Sequence, residues 1–493
     1  MITVVNEGVP SPQAAVRYVP PPDDIDVTSA IQRFDSVYFL MFRGWREELR
    51  SNRWHFASRW ARHLPTILVQ PEQAHVPPKT NDVPEGRIPN CRILPVLEVM
   101  GTRDWIGNGL VQAGQIMAYM RACGHRRPLL WCYNPMTLVA YATLPAGGRI
   151  FHATENYFHF PNEPEWFTER YRTAMQISDL IVAVSDGVAR EIKAQLPDAS
   201  ICLVSNGCDF GGYFGARASD SLATLRSVWR AVAIYAGNIN ARLDYALIRQ
   251  AAKANQDILF VFYGPVKDLG GEDRELWRRL QTEANFRYLG PVDAEELPSL
   301  YAASDVGLMP YKSEHWLVEN GFPLKTLEMA ATGLPVVSTL LKPVRGLAAA
   351  IHVEDRAEDF VAAVGRIGRD RLTFGERAEL EAVCRSNDYD RKFEQVIELY
   401  RTTVPESSSP LTRLEYIAMT EEFSEWLLQF CRPKNLEIGR PGNGVGTPSL
   451  SRLSRAGLRL AEMIPAHWRR RAPQGLRSLF RRLVFGSVRR RAD

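Results

Sequence analysis

A chain of 493 residues is longer than one ordinary core sustains, so two domains plus an extension are expected. Its 45% hydrophobic and 24% charged content is that of a globular protein and excludes a wholly disordered or fibrous chain. Seven scattered cysteines, odd in number and without a C-x-x-C pair, argue against a zinc site or a disulfide framework and for a reducing compartment.

The opening MITVVNEGVPSPQ has no basic stretch leading into an apolar one, so no secretory signal is expected there. No uninterrupted apolar run is long enough to cross a bilayer, and a cytoplasmic location follows as the expectation. Residues 1–30, with VPPPDD, form a polar, proline-rich leader without a core pattern.

From residue 31 strands and helices alternate. The strand candidates are SVYFLMF, TILVQP, RILPVLEV, LLWCYNP, RIFHAT, LIVAVS and ICLVSNG. Helical patterns such as HFASRWARH, GLVQAGQIMAYMRACG and EWFTERYRTAMQIS lie between them. This rhythm predicts parallel βαβ units and a doubly wound sheet over 31–214. Ser185 stands where it would close one strand and cap the next helix.

The pattern pauses over 215–230, an expected linker, and a second series fills 231–404. Its strands are AIYAGN, LFVFYGP, FRYLGPV, VGLMPY, PVVST and IHVED, and a helix near Asp388–Thr402 closes it. The fold class expected is α/β, two facing Rossmann-like domains with a cleft at the carboxyl ends of both sheets.

Residues 405–493 differ in composition. From Ser451 to Asp493 there are twelve arginines, no lysine and two acids, which leaves the rest of the chain mildly acidic although the net charge is +4. Leu476, Leu479, Phe480, Leu483, Val484 and Val488 recur at helical spacing with arginines opposite. Such a basic, partly helical extension suits an anionic membrane surface; a helix packed on a partner or on the protein's own body is the other reading. Nucleic acid is not expected, since interleaved aromatics and a recognisable module are missing.

The stretch GFPLKTLEMAATGLPVVS concentrates the chemistry. Pro323 suits the start of a helix and Gly333 its left-handed end. The free N–H groups of that helix, with Lys325 beside them, form an anion site. A surface Lys–Glu pair in an ordinary αβ unit is the plain alternative.

With SNGCD, YAGNINARLDYALI, VFYGP, YLGPV and ASDVGLMPY in order, the chain resembles a GT-B glycosyltransferase of the group 1, family 4 kind over most of residues 30–400. The resemblance implies a nucleotide-sugar donor, UDP- or GDP-linked, a saccharide or lipid-linked acceptor, no metal and no further cofactor. It places Gly237, Asn238 and Arg242, then Gly264 and Pro265, on the diphosphate, with Gly290 near the base. Pro323, Leu324 and Lys325 would complete the anion site and Glu328 would hold the ribose. Two departures stand out: Asn238 and Arg242 replace the family's Gly-Arg start and later lysine, and Asn320, with Glu319 beside it, replaces the first glutamate of the family's pair.

On the acceptor side the resemblance points to Arg53 and His55, which would open into the cleft or else begin a solvated helix. His152, Glu155 and Asn156 follow a strand's carboxyl end, where ligands bind in such sheets. Glu155 aligns with an acidic position in relatives and would deprotonate an acceptor hydroxyl if configuration inverts, or position it if configuration is retained. His152 reads equally as catalytic or as a buried structural group. The function implied is sugar transfer in cell-surface polysaccharide or glycan synthesis, peripheral on the inner face of the plasma membrane. The competing reading is an inactive scaffold drawn to membranes by its tail; an epimerase or a pyridoxal-type phosphorylase lacks its extra carboxylates or its cofactor lysine.

Overall fold

The computed structural model describes residues 27–41, 50–73, 88–98, 105–158, 165–267, 269–368 and 372–404. The proline-rich leader up to residue 26 and the basic extension from 405 lie outside them, as does the reading of that extension as a membrane-binding helix.

Each series of strand candidates forms one parallel sheet. The first has seven strands in the order β3-β2-β1-β4-β5-β6-β7. They are β1 (Ser36–Leu40), β2 (Thr66–Gln73), β3 (Cys91–Glu98), β4 (Pro128–Cys132), β5 (Gly148–Ala153), β6 (Leu180–Ala183) and β7 (Ile201–Leu203). The second has six, in the order β10-β9-β8-β11-β12-β13. These are β8 (Ala231–Ala236), β9 (Ile258–Tyr263), β10 (Phe286–Tyr288), β11 (Val306–Met309), β12 (Val336–Thr339) and β13 (Ile351–Glu354). β1, β4, β8 and β9 are buried at every position, which is why they read as continuous apolar runs instead of alternating ones. In both sheets the chain reverses direction beside the first strand, between β1 and β4 and between β8 and β11. Open sheets of this kind bind ligands just beyond such a point.

The helices end where the residue chemistry requires. Ser185 caps Asp186–Gln195 by accepting the Val188 amide, as its position in the sequence predicts. The helix expected to begin at Pro323 has its first regular residue at Lys325 and runs to Ala331, with Gly333 in the left-handed region at φ 82°.

Three boundaries differ from the expected ones. The closing helix, Tyr389–Thr403, packs its apolar face on the first domain, while its Tyr389 amide donates to the Cys208 carbonyl. Tyr389, Phe393, Val396, Ile397 and Tyr400 are buried among Phe34, Trp60 and Trp131 of the first domain. Phe393 meets Trp60 edge-on at 5.1 Å, and Arg59 pairs with Asp390 at 2.8 Å. A short helix within the supposed leader, Val27–Ile31, joins the same core through Ala30 and Ile31. In the other direction, Cys208, Phe210, Tyr213 and the fully buried Leu222 belong to the core of the second domain. The chain therefore crosses between domains near Asn206, and most of the expected linker is anchored structure: the Ser219 amide donates to the Ser299 carbonyl and Arg226 pairs with Asp305.

Candidate active site

Between the two sheets lies a cavity of about 730 Å³. Its walls come from the loops after the strands on both sides: Tyr133 after β4, Glu155 after β5, Arg242 after β8, Tyr311 after β11, and the segment Gly321–Leu324.

Three glycine turns meet at the carboxyl ends of β8, β9 and β10. Gly237, Gly264 and Gly290 have φ of 148°, 130° and 83°, a region that disfavours any side chain. The Gly237 amide donates to the Tyr263 carbonyl at 3.0 Å and the Gly264 amide to the Gly290 carbonyl at 2.8 Å. The turns approach so closely that a Cβ on Gly264 would lie 1.9 Å from the Gly237 oxygen. Pro265 follows, its carbonyl accepting the Ile239 amide at 3.0 Å, and Asn238 is exposed beside it with its carbonyl held by the Tyr235 hydroxyl.

Lys325 reaches this same place. Its Nζ lies 3.9 Å from the centre of the Tyr235 ring, and a Cβ on Gly237 would stand 2.2 Å from it. A side chain at Gly237 would displace the ammonium. One turn along the helix, Glu328 is buried near Tyr213 and senses Arg50 and Asp209. Burial pushes Lys325 down to about 7 and Glu328 up to about 7, and each charge partly offsets the other's shift. The Leu324 and Lys325 amides belong to the first turn, where intrahelical carbonyl partners run out.

Across the cavity, Glu155 lies 3.7 Å from Arg242, whose guanidinium also covers the Trp316 ring at 4.9 Å. Burial raises the Glu155 carboxyl and Arg242 pulls it back. Arg53 lines the cavity, its Nε 3.3 Å from the Ser51 hydroxyl. Asn156 is buried at the domain boundary and donates to the Asn320 side chain at 3.5 Å, so the residue replacing the family's first glutamate serves as a contact between domains. Glu319 turns away to Lys342 at 2.5 Å.

Two expected site residues are corrected. His55 does not open into the cleft: it is 3% exposed and stacked on Tyr389 at 3.9 Å, beside Arg59. His152 is fully buried inside β5, boxed by Phe56, Trp131 and Tyr133, and neither ring nitrogen has a hydrogen-bond partner among the described residues. Desolvation lowers its pKa to about 3. It is not among the residues lining the cavity, which Tyr133 separates from it.

A polar network that the sequence reading missed supports the site. The Tyr133 hydroxyl donates to Asn52 at 3.0 Å, Asn52 to Asn206 at 2.8 Å, and Asn206 to the Phe322 carbonyl at 2.7 Å. It ties both domains to the turn that introduces Lys325. Asn206 stands in the SNGCD motif, which is the one sequence signal that points to it. Asn206→Ala is expected to cost about 1–3 kcal/mol, because two buried groups lose their partner at once; urea unfolding measures it.

Among the described residues, no group of three His, Cys, Asp or Glu is placed to hold a metal ion, and no helix is long and apolar enough to cross a membrane.

Residues 230–370 match the family model for glycosyl transferases group 1. TuaH of Bacillus subtilis, a glycosyltransferase assigned by its name to teichuronic acid biosynthesis, is 26% identical over 229 residues, 45% of this chain and 57% of TuaH. The chain spans about half the length of the curated relatives it matches. In fold, it is similar to sucrose-phosphate synthase of Thermosynechococcus elongatus (TM-score 0.55, 12% identity, covering 80% of this chain and all of that one). HepE of Anabaena, crystallised with UDP and glucose, also gives a TM-score of 0.55, with 14% identity over 75% of this chain and all of its own.

Proposed function

We propose that this protein, a GT-B fold carrying a group 1 glycosyl transferase domain, moves a sugar from a nucleotide-sugar donor to a saccharide or lipid-linked acceptor in cell-surface polysaccharide synthesis. The observation that carries this reading is Lys325, pressed into the Gly237 turn with Glu328 one helical turn away, at the carboxyl ends of the sheet.

In the reaction the bond from the anomeric carbon to the diphosphate breaks and the nucleoside diphosphate leaves with the electron pair. The acceptor oxygen bonds to that carbon. Its proton passes to Glu155 if configuration inverts, or to the departing phosphate if it is retained. Lys325, the Leu324 and Lys325 amides and Arg242 provide positive potential where leaving-group charge develops, and do so without reorganising. These groups take the role a metal would otherwise have, so transfer is expected to proceed without one. Glu328 accepts from the ribose hydroxyls, with Gly290 beside the base and Arg53 and Asn156 on the acceptor side. TuaH supports the assignment to surface polysaccharide, and HepE the nucleotide donor.

A thermal-shift series with UDP, GDP, ADP and dTDP, run on the wild type and Glu328→Ala, tests this. One nucleotide is expected to raise the wild-type Tm and leave the variant unmoved, since a ligand near 100 Kd adds about 2.7 kcal/mol to the folded state. No shift with any nucleotide would overturn the donor-site reading.

A further inference from the structure

Arg242 and Glu155 come from different domains, 87 positions apart in sequence, and meet across the cavity at 3.7 Å. We propose that this ion pair is a latch on the donor: the diphosphate and the Glu155 carboxylate compete for one guanidinium, so a bound donor releases Glu155 toward the acceptor. The proposal rests on the nucleotide-sugar reading above.

The Arg242 backbone is fixed from both ends. Its amide donates to the Asn240 side chain at 3.1 Å, and its carbonyl accepts the Lys312 amide at 2.9 Å. Trp316 covers a face of the guanidinium, so an oxyanion would approach it edge-on. The Glu155 backbone is tied as well, where its carbonyl accepts the Tyr171 hydroxyl at 3.1 Å.

The pair is also built to open. The two side chains are 40% and 34% exposed, and 3.7 Å is long for a charge-assisted hydrogen bond. A pair of this kind is worth little, whereas a phosphate takes the guanidinium as a two-pronged fork. The same partly desolvated carboxyl then stands without its cation, a stronger base than before and next to the residues on the acceptor side. Donor binding and the readiness of Glu155 become one event, so an acceptor that enters first meets a carboxylate already engaged.

The full-length wild type, Glu155→Gln, Arg242→Ala and the double variant are titrated calorimetrically with UDP and GDP. Glu155→Gln is expected to bind the preferred nucleotide about two- to five-fold tighter, the range set by a weak exposed ion pair. Arg242→Ala is expected to bind more weakly, and adding Glu155→Gln to it is expected to change nothing further. Unchanged or weaker binding by Glu155→Gln overturns the latch. So does an equal gain in the Arg242→Ala background, which would mean simple charge repulsion. If the wild type binds neither nucleotide while the variants remain folded, the nucleotide-sugar reading fails and the latch falls with it.

Discussion

Replacing Lys325 by alanine is expected to slow sugar transfer by about 10²–10³-fold, the loss seen when one preorganised donor to developing charge is removed. The side chain's partners within the protein are the Tyr235 ring and the buried Glu328 carboxyl, whose charge it offsets. It is held against the Gly237 turn and the Tyr235 ring in surroundings that push its pKa down, and a surface lysine kept for solubility would not stand there. Because the negative charge on the diphosphate grows as the glycosidic bond breaks, the loss should fall mainly on kcat, with nucleotide affinity reduced less. Lys325→Arg is not expected to rescue, since the planar, wider guanidinium does not fit where an ammonium already touches the glycine. A variant that keeps wild-type kcat with the donor identified by thermal shift would remove Lys325 from the chemistry.

The second large effect is on stability in acid. His152 stays neutral in the folded protein, its pKa lowered to about 3 by desolvation, and burial drives His55 well below its ordinary value too. In the unfolded chain each takes up a proton below about 6.5. Between that value and the depressed one the unfolded state binds more protons, so stability falls as pH falls. Each group contributes about 1.4 kcal/mol per pH unit. Above pH 6.5 neither has any effect. Glu328, raised to about 7 by burial, binds its proton first in the folded state and opposes this below pH 7. The test is therefore a comparison: in urea unfolding between pH 7.5 and 5, His152→Phe, which suits the surrounding Phe56, Trp131 and Tyr133, should differ from the wild-type slope by one proton's worth. An unaltered slope in that variant would mean that His152 is protonated within the fold.

The contrast between His152 and Glu155 marks the limit of the sequence. Both follow the apolar run of RIFHATENY, and both have chemistry suited to a site. Successive residues of a strand face opposite sides, but in a sheet covered on both faces that alternation does not say which side meets solvent. His152 is still within β5, under an aromatic box, while Glu155 is two residues past its end and on the cavity wall. His55 illustrates the same limit on a helix, its face visible from spacing but its cover, Tyr389, visible only in three dimensions.

All thirteen strands of the described residues and their division into two parallel sheets were readable from residues alone, whereas the roles of Gly237, Gly264, Gly290 and Glu328 came through the family resemblance. The strand signals are local, apolar runs of strand length set between helical patterns. The sequence by itself therefore determined the α/β class and the order of the elements. Only the tertiary structure decided that the closing helix crosses to the first domain, that Asn206 ties both domains to the Lys325 turn, and that Arg242 meets Glu155. Each of these joins residues distant in sequence. An amphipathic helix or a polar side chain states what kind of surface it needs, but which surface it finds is settled by packing both domains at once.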